Sequence, residues 1–336
     1  MIPREFVNAL ALSRQTASRL AARLMLLGLA VCFQGCGRRE STSFTQPSSP
    51  PAPAGPSQFT VVSGETGLPV GGAAVVFAGQ NLRTDAQGVV NVPVGGAEGA
   101  LVDIVAPGFL DRQTLFRTAG RPLLTLWPRT SPLGMDENFT AVLVYTATSD
   151  GAVTGGRTLS RHRASTTQVF LVLSANLAQD PEAVRWHQLA ADSLNTAVEG
   201  RLIYRVVTDR PASGVVVDIS YDPSNPGCGS FRAFTSWRAS AGEITGATIV
   251  YCVSDAPRSG TVVHEIGHTF GLAHSPDPRD VMYFSFVRGR SDTFTPKEAL
   301  AMKLMMGRSA GTRFPDNDRE TSGLSAAEIE NTIRCR

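Results

Sequence analysis

A chain of 336 residues with 42% hydrophobic content is long enough for two globular domains with cores of their own. Its formal charge of +2 comes from one end, because residues 1–35 carry Arg4, Arg14, Arg19 and Arg23 against Glu5; without them, 31 basic and 29 acidic residues become 27 and 28, or −1. No basic run with interleaved aromatics occurs, so nothing calls for a nucleic-acid partner.

At the start, arginines precede an apolar run, Leu24 to Phe33, that is too short to span a bilayer as a mature helix. This is the pattern of a targeting segment, and Gly35-Cys36 closes it. Phe33-Gln34-Gly35-Cys36 resembles a bacterial lipobox, although leucine and a small residue would normally stand where Phe33 and Gln34 do. The resemblance implies acylation of Cys36, with a conventionally cleaved secreted protein as the alternative. Either implies export from a bacterial cell, as an outer-membrane or cell-surface lipoprotein or else as a periplasmic or secreted protein. Membrane attachment would then run through an N-terminal lipid. Residues 37–57 follow the signal (1–36) as a Pro/Ser-rich linker that cannot bury a core.

Residues 58–128 read as a small β domain. Phe59-Thr60-Val61-Val62, Ala74-Val75-Val76-Phe77, Val89-Val90-Asn91-Val92 and Leu101-Val102-Asp103-Ile104-Val105 are short β-rich runs divided by glycine and proline, and Thr84 to Gly88 is a turn signal. With Gly67-Leu68-Pro69-Val70 and Ala106-Pro107-Gly108-Phe109, the segment resembles carboxypeptidase-regulatory-like (transthyretin-like) β-sandwiches. No cluster of His, Cys or carboxylates there would carry chemistry.

Residues 129–336 make the second domain. Phe139 to Tyr145 and Val169 to Leu173 are apolar runs of strand length, separated by a polar, Gly-rich loop from Ser149 to Ser165 in which His162 is expected to be solvated. A helix follows, with Asp180 as N-cap, Pro181 in the first turn and Gly200 as the stop. Val184, His187, Ala191, Leu194 and Val198 form its buried stripe, on which His187 reads as a core histidine. Strands resume at Leu202–Val207 and Val215–Ile219, and a polar loop from Tyr221 to Gly229 leads to Phe231–Trp237 and Gly246–Tyr251.

The richest stretch is His264-Glu265-Ile266-Gly267-His268-Thr269-Phe270-Gly271-Leu272-Ala273-His274, which holds three of the five histidines. A helix turns about 100° per residue, so His264 and His268 lie on one face. His274 can join them only if the helix breaks, and Gly271 stands where it must, as glycine accepts the positive φ that reverses the chain. Three nitrogen donors and one open position are the composition of a catalytic zinc site. Glu265, beside the first donor, can act as a proton acceptor without being a ligand.

This stretch resembles the zinc signature of the metzincin metalloproteases, which have a third His and a later Met-turn. The Met-turn candidate is Asp280-Val281-Met282-Tyr283, and the resemblance makes Met282 a hydrophobic floor under the metal. Ser275 and the short connection look most like the matrixin branch; Phe284 replaces the tyrosine ligand of the astacin and serralysin branches. The resemblance implies an α+β fold: a metzincin-like zincin domain with a mixed twisted sheet, a backing helix and a zinc-binding active-site helix, next to the N-terminal β-sandwich. It also puts Phe231–Trp237 at the antiparallel edge strand bordering the cleft, where an extended substrate can complete the ladder. Tyr283–Val287 would then help form a substrate-pocket wall. Thr295-Pro296-Lys297-Glu298 opens a helix running to Gly307 with a capping box, and Ser325-Ala326-Ala327-Glu328 repeats the device. Between them, Ser309 to Gly323 is expected to be surface loop.

Cys228 precedes the presumed edge strand and Cys252 ends its neighbour, so they can pair in an exported protein; Cys335 is then unpaired or takes one of their places. No propeptide cysteine switch is recognisable. The function implied is an exported zinc-dependent endopeptidase with one catalytic Zn2+, zinc-activated water and Glu265 as general base, acting as a monomer on protein or peptide substrates. Structural Ca2+ is compatible with the resemblance but has no indicating motif. The alternative is a non-catalytic, zinc-containing cell-surface binding or adhesion protein.

Overall fold

Seven short strands open the fold: β1 (Ser57–Ser63), β2 (Ala74–Phe77), β3 (Gln80–Arg83), β4 (Val89–Val92), β5 (Leu101–Val105), β6 (Arg112–Leu115) and β7 (Leu123–Leu126). They come from a computed structural model that describes residues 57–92, 98–117, 122–145, 158–285, 292–318 and 328–336. The signal segment with Cys36, the linker up to residue 56, and Phe286 and Val287 lie outside the described residues. The strands form two sheets, β4-β1-β7 and β3-β2-β5-β6. Alternate residues point inward, and Phe59, Val61, Val75, Val90, Val102 and Ile104 share one core. The turn before β4 is held by Asp85, whose carboxylate accepts from the Gln87 and Val89 amides at 2.9 and 2.8 Å. β3 and β6 are polar runs, QNLR and RQTL, that only pairing with β2 and β5 makes into strands.

A larger sheet of seven strands follows. Its members are β8 (Arg161–His162), β9 (Gln168–Leu173), β10 (Ile203–Val207), β11 (Val215–Tyr221), β12 (Ala233–Ser240), β13 (Glu243–Tyr251) and β14 (Glu328–Cys335). The order is β10-β9-β11-β13-β12-β14, with β8 beside β13. β9, β10, β11 and β13 run parallel, whereas β12 is antiparallel to both of its neighbours. The helices are α1 (Glu137–Tyr145), the short α2 (Ala175–Ala178), α3 (Pro181–Ala197), α4 (Thr261–Phe270) and α5 (Pro296–Met306). Sheet residues Leu171, Val217 and Ile249 join Leu194 of α3, Ile266 of α4 and Leu300 of α5 in one continuous core.

Helix α3 starts where the caps dictate, with the Asp180 carboxylate accepting from the Glu182 and Ala183 amides and Pro181 in the first turn. Five expectations fail, four in the elements and one at His162. Phe139–Tyr145 is helix rather than strand: the Asp136 carboxylate caps it through the Phe139 amide at 2.6 Å, and all seven residues are buried. An apolar run buried on every side carries no period that separates the two forms. The Ser325–Glu328 signal does not start a helix that continues, because Glu328–Cys335 is strand β14. Phe231–Trp237 therefore does not lie on a free edge, since β14 pairs with the whole of β12 from Ala233↔Cys335 to Ser240↔Glu328. Nor is the stretch after Ser309 plain surface loop, for Thr312, Asp316 and Asp318 are buried.

Those buried acids lock the first two sheets to the rest. Arg308 and Asp316 form a fully buried ion pair at 2.7 Å. The Arg308 guanidinium also donates to the Thr125 carbonyl at 2.8 Å and lies over the Trp127 ring at 5.0 Å. Asp318 accepts from the Thr114 hydroxyl at 2.7 Å and faces Arg112 at 3.6 Å. Removing one partner leaves a buried charge uncompensated, so Asp316→Ala is expected to lower the unfolding free energy by about 3–5 kcal/mol in denaturant titrations.

His162, expected in solvent, is buried in β8 with Nε2 2.9 Å from the Tyr204 hydroxyl. His187 is a core histidine, its Nδ1 2.7 Å from the Ala183 carbonyl and its Nε2 3.0 Å from the Tyr251 hydroxyl. Burial pushes both imidazoles down from 6.5 to about 4. The unfolded chain then takes up these protons first as pH falls. The stability they contribute is complete above about pH 6.5 and is lost towards pH 4, on the order of 3 kcal/mol each. Thermal melts across this window should show a falling midpoint, with a shallower slope in His187→Gln.

Candidate metal centre

Helix α4 is buried all round, with every residue from Thr261 to Phe270 shielded from solvent. It ends in paired reverse hydrogen bonds: the Gly271 amide donates to the His268 carbonyl at 3.0 Å and the Leu272 amide to the Gly267 carbonyl at 3.2 Å. Gly271 has φ +107°, and a Cβ there would stand 2.1 Å from the Ser160 carbonyl oxygen. Glycine is therefore required twice, for conformation and for space. The reversed chain is then tied to α1 by the Ala273 amide on the Leu143 carbonyl at 2.7 Å, which brings His274 back towards the helix.

The turn around Met282 is hung on the start of α5. Thr295 and Glu298 form a capping box, and the same Glu298 carboxylate accepts from the Met282 amide at 2.8 Å. Lys297 pairs with both Asp277 and Asp280. The Met282 carbonyl accepts from the Ser275 amide at 2.7 Å, one residue past His274. Met282 packs against α4 so closely that a Cβ on Gly267 would come 2.3 Å from its sulfur.

The three imidazoles converge. Nδ1 of His264 lies 2.6 Å from the Val281 carbonyl and Nδ1 of His268 lies 2.8 Å from the Leu272 carbonyl. A carbonyl only accepts, so both Nδ1 atoms carry a proton, and in a neutral ring Nε2 then presents its lone pair. Those two Nε2 atoms are 3.1 Å apart. Burial, and then His274, hold the His268 imidazole well below its usual value, so it is neutral. Two inward lone pairs at this distance repel unless a proton or a metal cation stands between them.

A fourth donor joins them. Cys335 Sγ lies 3.2, 3.4 and 3.6 Å from the Nε2 atoms of His264, His268 and His274. All four donor atoms lie within 4.8 Å of one another, and all four residues are buried. With metal–nitrogen bonds of about 2.0–2.1 Å and metal–sulfur bonds of about 2.3 Å, the edges of a zinc tetrahedron are about 3.3–3.6 Å. The donor set fits zinc in kind and in spacing.

Glu265 is fully buried, and its Oε2 accepts from the Thr235 hydroxyl of β12 at 2.5 Å. Cys228 and Cys252 are joined in a disulfide that ties the loop after β11 to the end of β13. Beside His264 and Cys335 the space left, lined also by Arg232, Tyr283 and Phe284, is about 10 Å³, room for roughly one water. A larger cavity of about 730 Å³ between β6–β7 and the Arg308 turn shares no residue with this cluster. Sequence reasoning missed Cys335 and Thr235. Neither has a local signal, as strand pairing brings one to the histidines and the other to the carboxylate.

Residues 252–299 match the matrixin family, a stretch that covers α4, its reversing turn, the Met282 turn and the start of α5. The match suggests a zinc metallopeptidase, and the mixed α+β arrangement is compatible with a metzincin-like domain. No curated protein matches the chain. Among solved structures the chain is similar to metalloproteinase-II from Bacteroides fragilis, at 11% identity over 68% of this chain and 84% of that one, with a TM-score of 0.27.

The break after α4 carries the geometry, so Gly271→Ala should be costly. Strained φ alone accounts for about 1–3 kcal/mol. Denaturant titration should show at least that loss, and competition against a chromophoric chelator should show weakened zinc binding.

Proposed function

We propose that this chain is an exported zinc-dependent endopeptidase, with His264, His268 and His274 as ligands and Glu265 as general base. One observation carries the reading: two buried Nε2 atoms 3.1 Å apart, each turned inward by a carbonyl on the opposite ring nitrogen. Zinc held there would supply Lewis acidity for a peptide carbonyl and lower the pKa of water to about 7. The Glu265 carboxylate takes a proton from the attacking water and returns it to the leaving amine. Thr235 orients that carboxylate from β12 through its hydroxyl. Met282, wedged against Gly267, keeps the underside of the site apolar and closed.

The rest of the chain extends the proposal. Residues 1–36 direct export, with Cys36 as the acylation site, and the Cys228–Cys252 disulfide supports an oxidising compartment. Residues 58–128 form a carboxypeptidase-regulatory-like sandwich, supported by two sheets around one core. The second domain, 129–336, acts on extended peptides as a monomer.

A second reading has its own observation. Three His and one Cys make a closed donor set, the composition of a structural zinc site in a binding or adhesion protein. Peptide-library digestion separates the two readings and is best run in a Cys335→Ala background, which reopens the fourth position. There, Glu265→Gln is expected to keep about one zinc per chain by elemental analysis and to lose hydrolysis by roughly 10²-fold or more. Cleavage of no library member by the Glu265 form, or equal rates for both forms, would defeat the peptidase reading.

A further inference from the structure

We infer that β14 is an inhibitory strap, which lies in the place of a substrate along β12 and puts Cys335 into the fourth donor position of the metal centre. The inference rests on the metallopeptidase reading and adds to it how the site is held closed.

Three independent features converge. The first is the ladder. β12 is the strand whose hydroxyl at Thr235 holds Glu265, and its outer side is filled by β14 over eight residue pairs. Hydroxyl contact between Ser236 and Thr332 at 2.7 Å and the Arg232 amide on the Cys335 carbonyl at 2.8 Å continue the pairing to the metal centre. An extended peptide recognised by completing this ladder would need the same backbone groups. The second is Cys335 itself, whose sulfur stands from all three imidazoles at about the spacing of neighbouring ligands in a tetrahedral site, where an open site would admit water. The third is the way β14 is held. Of its eight residues only Ile333 and Cys335 are buried, while Glu328, Ile329 and Glu330 face solvent. The strand is held by backbone pairing, the hydroxyl contacts of Ser236 with Thr332 and of Thr245 with Glu328, one apolar anchor and one sulfur, with no face buried along its whole length. The thiol gives up its proton to solvent when it ligates and takes one back when displaced, so release needs no redox partner.

The test uses the full chain loaded with one equivalent of Co2+ or Zn2+. The cobalt form is expected to show a near-ultraviolet sulfur-to-metal charge-transfer band, and the zinc form a sulfur neighbour at about 2.3 Å by X-ray absorption, both lost in Cys335→Ala. Cleavage of library peptides should rise roughly tenfold or more in that variant, as the competent fraction grows, and further when Ile333→Asp is added to evict the strand. Cys335→Ser serves the same comparison if the alanine variant does not fold. A cobalt band that is absent, or unchanged by the substitution, overturns the inference and leaves the peptidase reading intact. Sulfur ligation with an intact chain that cleaves as fast as both variants overturns the inhibition alone. Sulfur ligation with no cleavage by any variant brings down the peptidase reading, and the strap with it, leaving Cys335 as a structural ligand.

Discussion

Buried imidazole nitrogens crowd towards one point, and the architecture around α4 is organised to hold them there. No single element does this. The helix sets the direction of His264 and His268, the Gly271 reversal returns His274, and carbonyls of Val281 and Leu272 keep two rings in the tautomer that faces inward. A divalent cation bound there would relieve this crowding, and its binding free energy would then become part of the stability of the fold.

The supporting layer has its own logic. A capping box is usually a local matter of helix stability, but Glu298 here serves two segments at once, since it closes the first turn of α5 and also holds the Met282 amide. Through Met282 it reaches the underside of α4, and through the Val281 carbonyl the same turn reaches His264. His264, Met282 and the cap of α5 are thus parts of one network, the kind of support that keeps a site's geometry fixed. The ion pair of Arg308 with Asp316 does the corresponding work at the other boundary, joining the small sheets to the larger unit.

An unpaired sheet edge invites any extended chain, so folded proteins cover or charge such edges. Covering β12 with the chain's own β14 meets that general need and also occupies the ladder that a peptide would use. The outward face of β14 carries Glu328 and Glu330, which keep the new edge charged, while Ile333 and Cys335 turn inward. The same eight residues protect an edge and bring Cys335 against the three histidines.

Spacing along the chain was enough to identify the three histidines, the glycine between them, the caps of α3 and α5, and most of the longer strands. These signals are local: a helix period, a positive φ, a carboxylate three residues from an amide. Tertiary structure alone decided the rest. Phe139–Tyr145 became a helix because a run buried on all sides has no period to read, and His162 went inside because β8 pairs with β13. Cys335 lies 61 residues from His274, and its place beside the three histidines follows from antiparallel register with β12. Strand pairing is written in the partner as much as in the strand, so no window of sequence around Cys335 contains it.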